Sequence, residues 1–184
     1  ISNELRWSGE LAENWDATFG VYYFDQEIEY REARYIWLPP PIGPAPFGIN
    51  LQASLGGDMD SKNFGVFWNN DFHVGDAWTL QAGIRYTDES KSADIIIGGC
   101  ADNVNFDCTF DSLEGDWDNI TPRLGAMYSF SDDTRVYGFW SKGYRSGGFN
   151  FRNARPDVIP PGPTDEEENN TFEVGLKTEF ADGR

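Results

Sequence analysis

The sequence has few basic residues, a single histidine and no long apolar run. It contains 14 Lys and Arg against 31 Asp and Glu, which gives a formal net charge of −17. This balance argues against a nucleic-acid partner, because phosphate binding needs clustered Lys and Arg. No apolar run approaches the roughly 18 residues that a membrane-spanning helix needs. One isolated histidine, His73, supports no Ser/His/Asp set, so we predict no enzyme, cofactor or metal site.

Cysteine is also scarce, and the only two cysteines are Cys100 and Cys108 in a polar stretch. No C-x-x-C motif or Cys/His cluster accompanies them, which makes zinc a poor interpretation. Their spacing fits a small loop closed by a disulfide, and a disulfide implies an oxidising compartment. Two free thiols are the alternative.

Aromatic residues and period-two alternation are abundant. Phe, Tyr and Trp make up 16% of the chain, which offers far more apolar surface to bury than a disordered chain has. Alternation of apolar and polar residues predicts about seven strands. They span 1–11, 17–30, 62–74, 78–87, 118–130, 134–145 and 172–180. Beyond Phe24 the apolar face of the second strand turns acidic, and 134–145 has aromatic residues on both faces, so its orientation stays open.

The connections between these strands alternate between short and long. Their order along the chain is 12–16, 32–59, 75–77, 93–116, 131–134, 146–168 and 181–183. Transmembrane β-barrels have short periplasmic turns and longer external loops, whereas a soluble β-sandwich has no reason to keep this parity. The sequence therefore predicts an all-β fold, an antiparallel transmembrane β-barrel.

The predicted strand count is odd, although single-chain bacterial barrels close with an even number. An open edge exposes unpaired backbone groups, which lipid does not tolerate. We therefore expect residues 1–184 to be part of one larger barrel domain, with the remaining strands elsewhere. Aromatic residues beside the short turns fit an interfacial girdle. They are Trp15, Phe72, Trp78, Phe130 and Phe180.

Three stretches resemble the barrel of TonB-dependent outer-membrane receptors. They are GIRYTDESK at 83–91, TPRLGAMYSFSDDTRVYGFWSKGYRSGGFN at 121–150 and FEVGLKTEFADGR at 172–184. In that family, G-x-R-Y, Y-x-x-x-S-x-G-[YF]-[RK]-x-G-x-[FN] and E-x-G-x-K strands occur in this order. The second and third patterns correspond here to Tyr137, Ser141, Gly143, Tyr144, Arg145, Gly147 and Phe149, and to Glu173, Gly175 and Lys177.

The resemblance implies an internal part of the C-terminal half of a barrel in the outer membrane of a Gram-negative bacterium. It also implies a plug domain outside this sequence, through which the TonB energy-transducing complex acts. The family imports large, scarce solutes, commonly ferric siderophores. We therefore expect uptake without catalysis, with such a solute, TonB, lipid and lipopolysaccharide as partners.

Five residues in the long loops are candidates for ligand binding. They are Tyr35, Trp37, Arg145, Arg152 and Arg155. Aromatic and arginine side chains suit flat, anionic ferric chelates. Alternatively, Tyr35, Trp37 and Phe47 pack the proline-rich loop against itself, since a loop of this length needs internal packing to be ordered.

Two other functions stay open. A small passive porin-like barrel would need an even strand count and its own C-terminal strand. A secreted carbohydrate-binding β-sandwich would pack its apolar face on a second sheet. Trp and Tyr at both rims favour the barrel.

Overall fold

The protein forms one antiparallel sheet of seven strands, each paired with the next along the chain. The computed structural model describes residues 1–39, 49–97, 100, 105–152 and 159–179. The strands are β1 Ser2–Ala12, β2 Trp15–Leu38, β3 Ile49–Val74, β4 Trp78–Ile96, β5 Phe110–Ser131, β6 Thr134–Arg145 and β7 Glu167–Thr178. Within these described ranges, no helix is long and apolar enough to cross a membrane. The predicted all-β antiparallel fold is confirmed.

One face of the sheet, here called the outer face, is apolar near the short turns. The register of the strands continues this face from Leu5 to Val21, Val66, Tyr86 and Ile120. These side chains are not covered, and Leu5 and Ile120 are 75% and 54% exposed. A wide, bare apolar face on a single-layer sheet is unfavourable in water and suits contact with lipid.

The structure settles the orientation of β6, which the sequence left open. Val136 and Trp140 lie on the outer face, in register with outer residues of β5 and β7. Tyr137 and Phe139 lie on the opposite, inner face, where the Arg123 guanidinium lies 3.9 Å from the centre of the Phe139 ring. The aromatic residues on the two faces of β6 therefore have different environments.

Aromatic rings collect at the end of the outer face that carries the short turns, here called the turn end. Trp15 stacks on Phe72 with ring centroids 5.5 Å apart. The centroid of the Tyr128 ring lies 4.8 Å from that of Trp78 and 4.9 Å from that of Phe130. Such a band of rings fits a membrane interface. Phe180, the fifth predicted member of this girdle, lies outside the described residues.

At the opposite end, here called the loop end, the strands are longer than predicted. The predicted loop at 32–59 is wrong in length, because β2 runs to Leu38 and β3 begins at Ile49. The predicted loop at 93–116 shrinks in the same way to 97–109.

The strands were underestimated because the two faces exchange character above Phe24. Toward the loop end, the outer face becomes acidic while the inner face becomes apolar, and Leu55, Ala93, Ile95 and Trp117 are buried. The outer acidic residues are Asp25, Glu27, Glu29, Asp58, Asp60, Asp88, Asp94, Glu114, Asp116 and Asp118. The strand prediction assumes that the apolar residues stay on the same face, so each predicted strand ends at this exchange. The backbone pairing continues beyond it.

The exchange of faces marks the height at which contact with lipid ends. The segment of β2 from Trp15 to Phe24 has about ten residues, the length that a tilted strand needs to cross the hydrocarbon core. The parts of the strands nearer the loops therefore stand above the membrane, with their acidic face in water.

Replacing Ile84 with Lys should destabilise the protein by about 2–4 kcal/mol, because this outer side chain lies within the lipid-covered segment. The loss is measured as the free energy of unfolding of the whole protein in lipid vesicles. Gln81→Lys, on the inner face of the same strand, is the matched control. Asp71, the present partner of Gln81 at 2.9 Å, can pair with the new ammonium. Equal losses in both variants would contradict the assignment of faces.

Candidate functional site

The segment that follows β6 folds onto the inner face at the loop end. The ring of Phe149 contacts Trp117 edge-on, with centroids 6.3 Å apart. Phe151 lies directly over β3, since a Cβ at Gly57 would come within 2.7 Å of its ring. The two phenylalanines thus cover apolar surface that the exchange of faces has placed on the inner side.

The two arms of the β6–β7 connection are tied to each other. The Thr164 amide donates to the Gly148 carbonyl at 2.9 Å, and the Gly148 amide donates to the Thr164 hydroxyl at 3.0 Å. The Asn150 amide donates to the Pro161 carbonyl at 2.6 Å. These bonds give the covering segment a defined backbone path.

Lys91 on β4 anchors the segment. Its ammonium lies 2.8 Å from the Glu89 carboxylate, the Ser146 hydroxyl and the Gly147 carbonyl. The Glu89 carboxylate also accepts hydrogen bonds from Ser146 and from Asn63, both at 2.8 Å. The contacts with Lys91, Ser146 and Asn63 thus surround the Glu89 carboxylate with hydrogen-bond donors.

A second tie joins Arg152 to β2. Its Nε and Nη2 atoms donate to the two carboxylate oxygens of Glu32 at 3.0 and 3.2 Å, across 120 residues of sequence. Arg34 Nε donates to the same carboxylate at 2.5 Å, and the Tyr30 hydroxyl donates to it as well. Hydrogen bonds from Arg34, Arg152 and Tyr30 lower the pKa of Glu32 to about 2. The two-pronged geometry is the strong form of an arginine–carboxylate contact.

The two aromatic candidates from the sequence lie near the end of β2. The side chains of Tyr35 and Trp37 are 67% and 60% exposed. The segment against which they were alternatively expected to pack, including Phe47, falls within 40–48, outside the described residues. Their role in ligand binding stays a prediction.

The two described candidate arginines, Arg145 and Arg152, have different surroundings. Arg145, the last residue of β6, is exposed and lies 3.7 Å from the Glu167 carboxylate. Arg152 is committed to Glu32, as described above. Arg155 lies outside the described residues. Of the two described candidates, Arg145 is thus the one whose guanidinium is more available to a ligand.

A cavity of about 420 Å³ opens beside Arg145. This volume lies within the usual range of small-molecule sites. The charged and aromatic residues that line the cavity are Lys91, Arg145, Phe149, Phe151, Asp165 and Glu167. The Arg145 guanidinium and the rings of Phe149 and Phe151 make one part of it suited to a flat anion.

Glu89, Lys91 and Glu32 were not identified from the sequence. Glu89 and Lys91 belong to the stretch 83–91 that carries the G-x-R-Y pattern, two residues apart on the inner face. Continuing the alternation of β4 past Thr87 would have placed them there. The partnership of Glu32 with Arg152 has no signal in the sequence.

Cys100 and Cys108 form a disulfide in the β4–β5 connection. The Ile97 amide donates to the Thr109 carbonyl at 3.1 Å at the base of the same connection. The described part of the chain contains no free cysteine and no group of three or more His, Cys, Asp or Glu that could hold a metal ion. His73 lies at the turn end, where its Nε2 atom is 2.9 Å from the Asp16 carboxylate, within hydrogen-bond distance.

Comparisons with known proteins agree with this geometry. The protein-family profile described as "TonB dependent receptor-like, beta-barrel" matches residues 1–184. The ferric yersiniabactin uptake receptor FyuA from Yersinia pestis shares 21% identity at a TM-score of 0.65, over 98% of this chain and 26% of FyuA. The siderophore receptor PiuA from Acinetobacter baumannii shares 15% identity at a TM-score of 0.67, over 99% of this chain and 29% of PiuA. At these identities the likeness shows a shared fold, and the chain spans under a third of either receptor's length.

Replacing Glu32 with Gln should loosen the covering segment. The pKa of Glu32 is lowered in the folded state to about 2 from 4.5, so its contribution to stability is full above about pH 4.5 and is lost as the pH falls toward 2. Pepsin works across this range, and mass spectrometry of the whole protein locates cleavage beside Phe149 and Phe151.

Wild-type cleavage at these sites should rise severalfold as the pH falls from 4.5 to 2, whereas Glu32→Gln should be cleaved rapidly at pH 4.5 already. Glu27→Gln, on the exposed outer face of the same strand, is the control at each pH, because it also corrects for pepsin's own pH dependence. If Glu32→Gln resisted pepsin at pH 4.5 as well as the wild type does, the contact between Glu32 and Arg152 would not hold the covering segment in place.

Proposed function

Because the chain belongs to the TonB-dependent receptor-like β-barrel family, whose members are outer-membrane proteins, we propose that it is part of a receptor for TonB-dependent uptake. In this proposal residues 1–184 are a stretch of one barrel domain. The plug domain and the remaining strands belong to other parts of the protein, and the TonB complex supplies energy through the plug. The bare outer face of the sheet supports lipid and lipopolysaccharide as its surroundings.

The proposed solute is a ferric siderophore, captured by the loops on the external side. By name, one of the proteins with similar structures is a ferric yersiniabactin uptake receptor and the other is a siderophore receptor, which supports an iron chelate as the solute by analogy only. The observation that carries the proposal is the cavity at the loop end, where Arg145 lies beside Phe149 and Phe151. A guanidinium and aromatic rings bind planar anionic chelates by hydrogen bonds and stacking.

The other functions considered fit the structure less well. A carbohydrate-binding sandwich would cover the apolar outer face with a second sheet, yet Leu5 and Val174 are 75% and 83% exposed. A passive porin-like barrel would keep a wide mouth, whereas the segment 146–152 folds over the inner face. Receptors of this family bind and transport solutes, which supports the absence of an enzymatic role.

Replacing Arg145 with Ala in the whole receptor should weaken binding of an anionic ferric chelate by about tenfold, the effect of losing one charge-assisted contact. The measurement is equilibrium binding and uptake of radioactive iron chelate by intact cells. Lys62→Ala, which removes a cation from the outer face, is the matched control and should change neither.

Replacing Arg152 with Ala should also lower uptake, because it releases the covering segment from Glu32. Unchanged binding and uptake in both the Arg145 and the Arg152 variant would refute capture at this cavity.

A further inference from the structure

Three arginines lie on the inner face below the exchange of faces, far from the loop-end cavity. Arg6 on β1 and Arg85 on β4 are at the same height in the register, and Arg123 on β5 is two residues nearer the turns. Their neighbours Ile84 and Leu124 are exposed on the outer face. The arginines therefore face the barrel lumen at membrane depth, where ionisable side chains commonly mark binding sites or solute paths.

Arg85 is held flat against the wall of the sheet. Its guanidinium lies 5.6 Å from the centre of the Tyr22 ring and 5.9 Å from that of Phe67. A Cβ at Gly65 would come within 2.5 Å of Nη2, so only glycine leaves room for this placement. The Nε atom donates to the Thr87 hydroxyl at 3.1 Å, which fixes the guanidinium on that side.

Arg85 and Arg123 have no carboxylate partner among the residues that the structure describes, although the chain carries a net charge of −17. Arg123 stacks on Phe139 at 3.9 Å. Arginines at the loop end behave differently, since Arg31 and Arg34 each bind a carboxylate. The aromatic rings therefore hold the guanidinium groups of Arg85 and Arg123 in place, while no described carboxylate neutralises their charge.

The two arginines border a common cavity of about 290 Å³, together with Asn69 and Thr121. Arg6 and Glu4 also line it, with the Arg6 guanidinium 4.0 Å from the Glu4 carboxylate. We propose that Arg85 and Arg123 form an anion-binding site in the barrel lumen that binds carboxylates. Planar guanidinium groups recognise carboxylates with two parallel hydrogen bonds, and aromatic stacking fixes their orientation beforehand.

The carboxylate can come from either of two sources. One is an anionic solute on its way through the lumen, and this source rests on the proposed function. The other is an acidic side chain of a protein segment lodged in the lumen. The site itself depends only on the barrel fold, so its test requires no transport.

The test uses the whole receptor and two chemical probes. The first is p-hydroxyphenylglyoxal, which modifies accessible arginines, with citrate as the competing carboxylate and mass spectrometry to locate the products. The second is a carbodiimide applied to the Arg85→Lys and Arg123→Lys variants, which joins an ammonium to a carboxylate in contact with it. Arg135, an inner-face arginine near the turn end, is the matched control in both experiments.

A solute site predicts that citrate slows modification of Arg85 and Arg123 by about tenfold relative to Arg135. A carboxylate of a segment lodged in the lumen predicts a cross-link from Arg85→Lys or Arg123→Lys to one acidic residue other than Glu4, and none from Arg135→Lys. Either result supports the site and identifies its source. The absence of both citrate protection and a cross-link overturns the proposal, whether or not the receptor imports a siderophore.

Discussion

The arrangement of this protein depends on one row of the sheet, just above Phe24, at which apolar side chains change from the outer to the inner face. Strand geometry places alternate residues on opposite faces without interruption, and the β2–β3 register passes through this row unbroken. The exchange therefore results from the order of apolar and polar residues in the sequence, and not from a register shift between the strands. It allows one continuous sheet to meet lipid over half its height and water over the other half.

This exchange also creates the need for a cover at the loop end. Once Leu55 and Ile95 lie on the inner face, that face must be shielded from water, and Phe149 and Phe151 supply the shield. Polar ties at Lys91 and other residues then fix the covering segment, because aromatic packing alone does not define a loop's path. The candidate ligand cavity is thus a consequence of how an extended sheet emerges from the membrane.

Much of this fold could be predicted from the sequence. Seven strands, their alternating short and long connections and the aromatic girdle follow from period-two patterns and turn residues. Strand length could not be predicted beyond Phe24, because the pattern inverts there. The orientation of β6 needed its neighbours, since Tyr137 and Trp140 are both aromatic yet lie on opposite faces.

The candidate sites were less predictable. Arg145 and Arg152 attract notice as loop arginines, but only the fold reveals that Arg152 is bound by Glu32. The proposed role of Arg85 could not be predicted from the sequence, because an arginine on the polar face of a strand is common and its contacts are known only from the fold. Pairings between distant strands carry no local signal, and they decide which charges are neutralised.

The most direct test of the account is the depth of two outer-face positions in a lipid bilayer. Spin labels are introduced singly into the whole receptor at Ile84→Cys and Asp60→Cys. Cys100 and Cys108 do not compete for the label, because they are bonded to each other. The account predicts that oxygen dissolved in lipid relaxes the label at 84, whereas a water-soluble nickel complex relaxes the label at 60. A label at 60 in lipid, or a label at 84 in water, would contradict the exchange of faces.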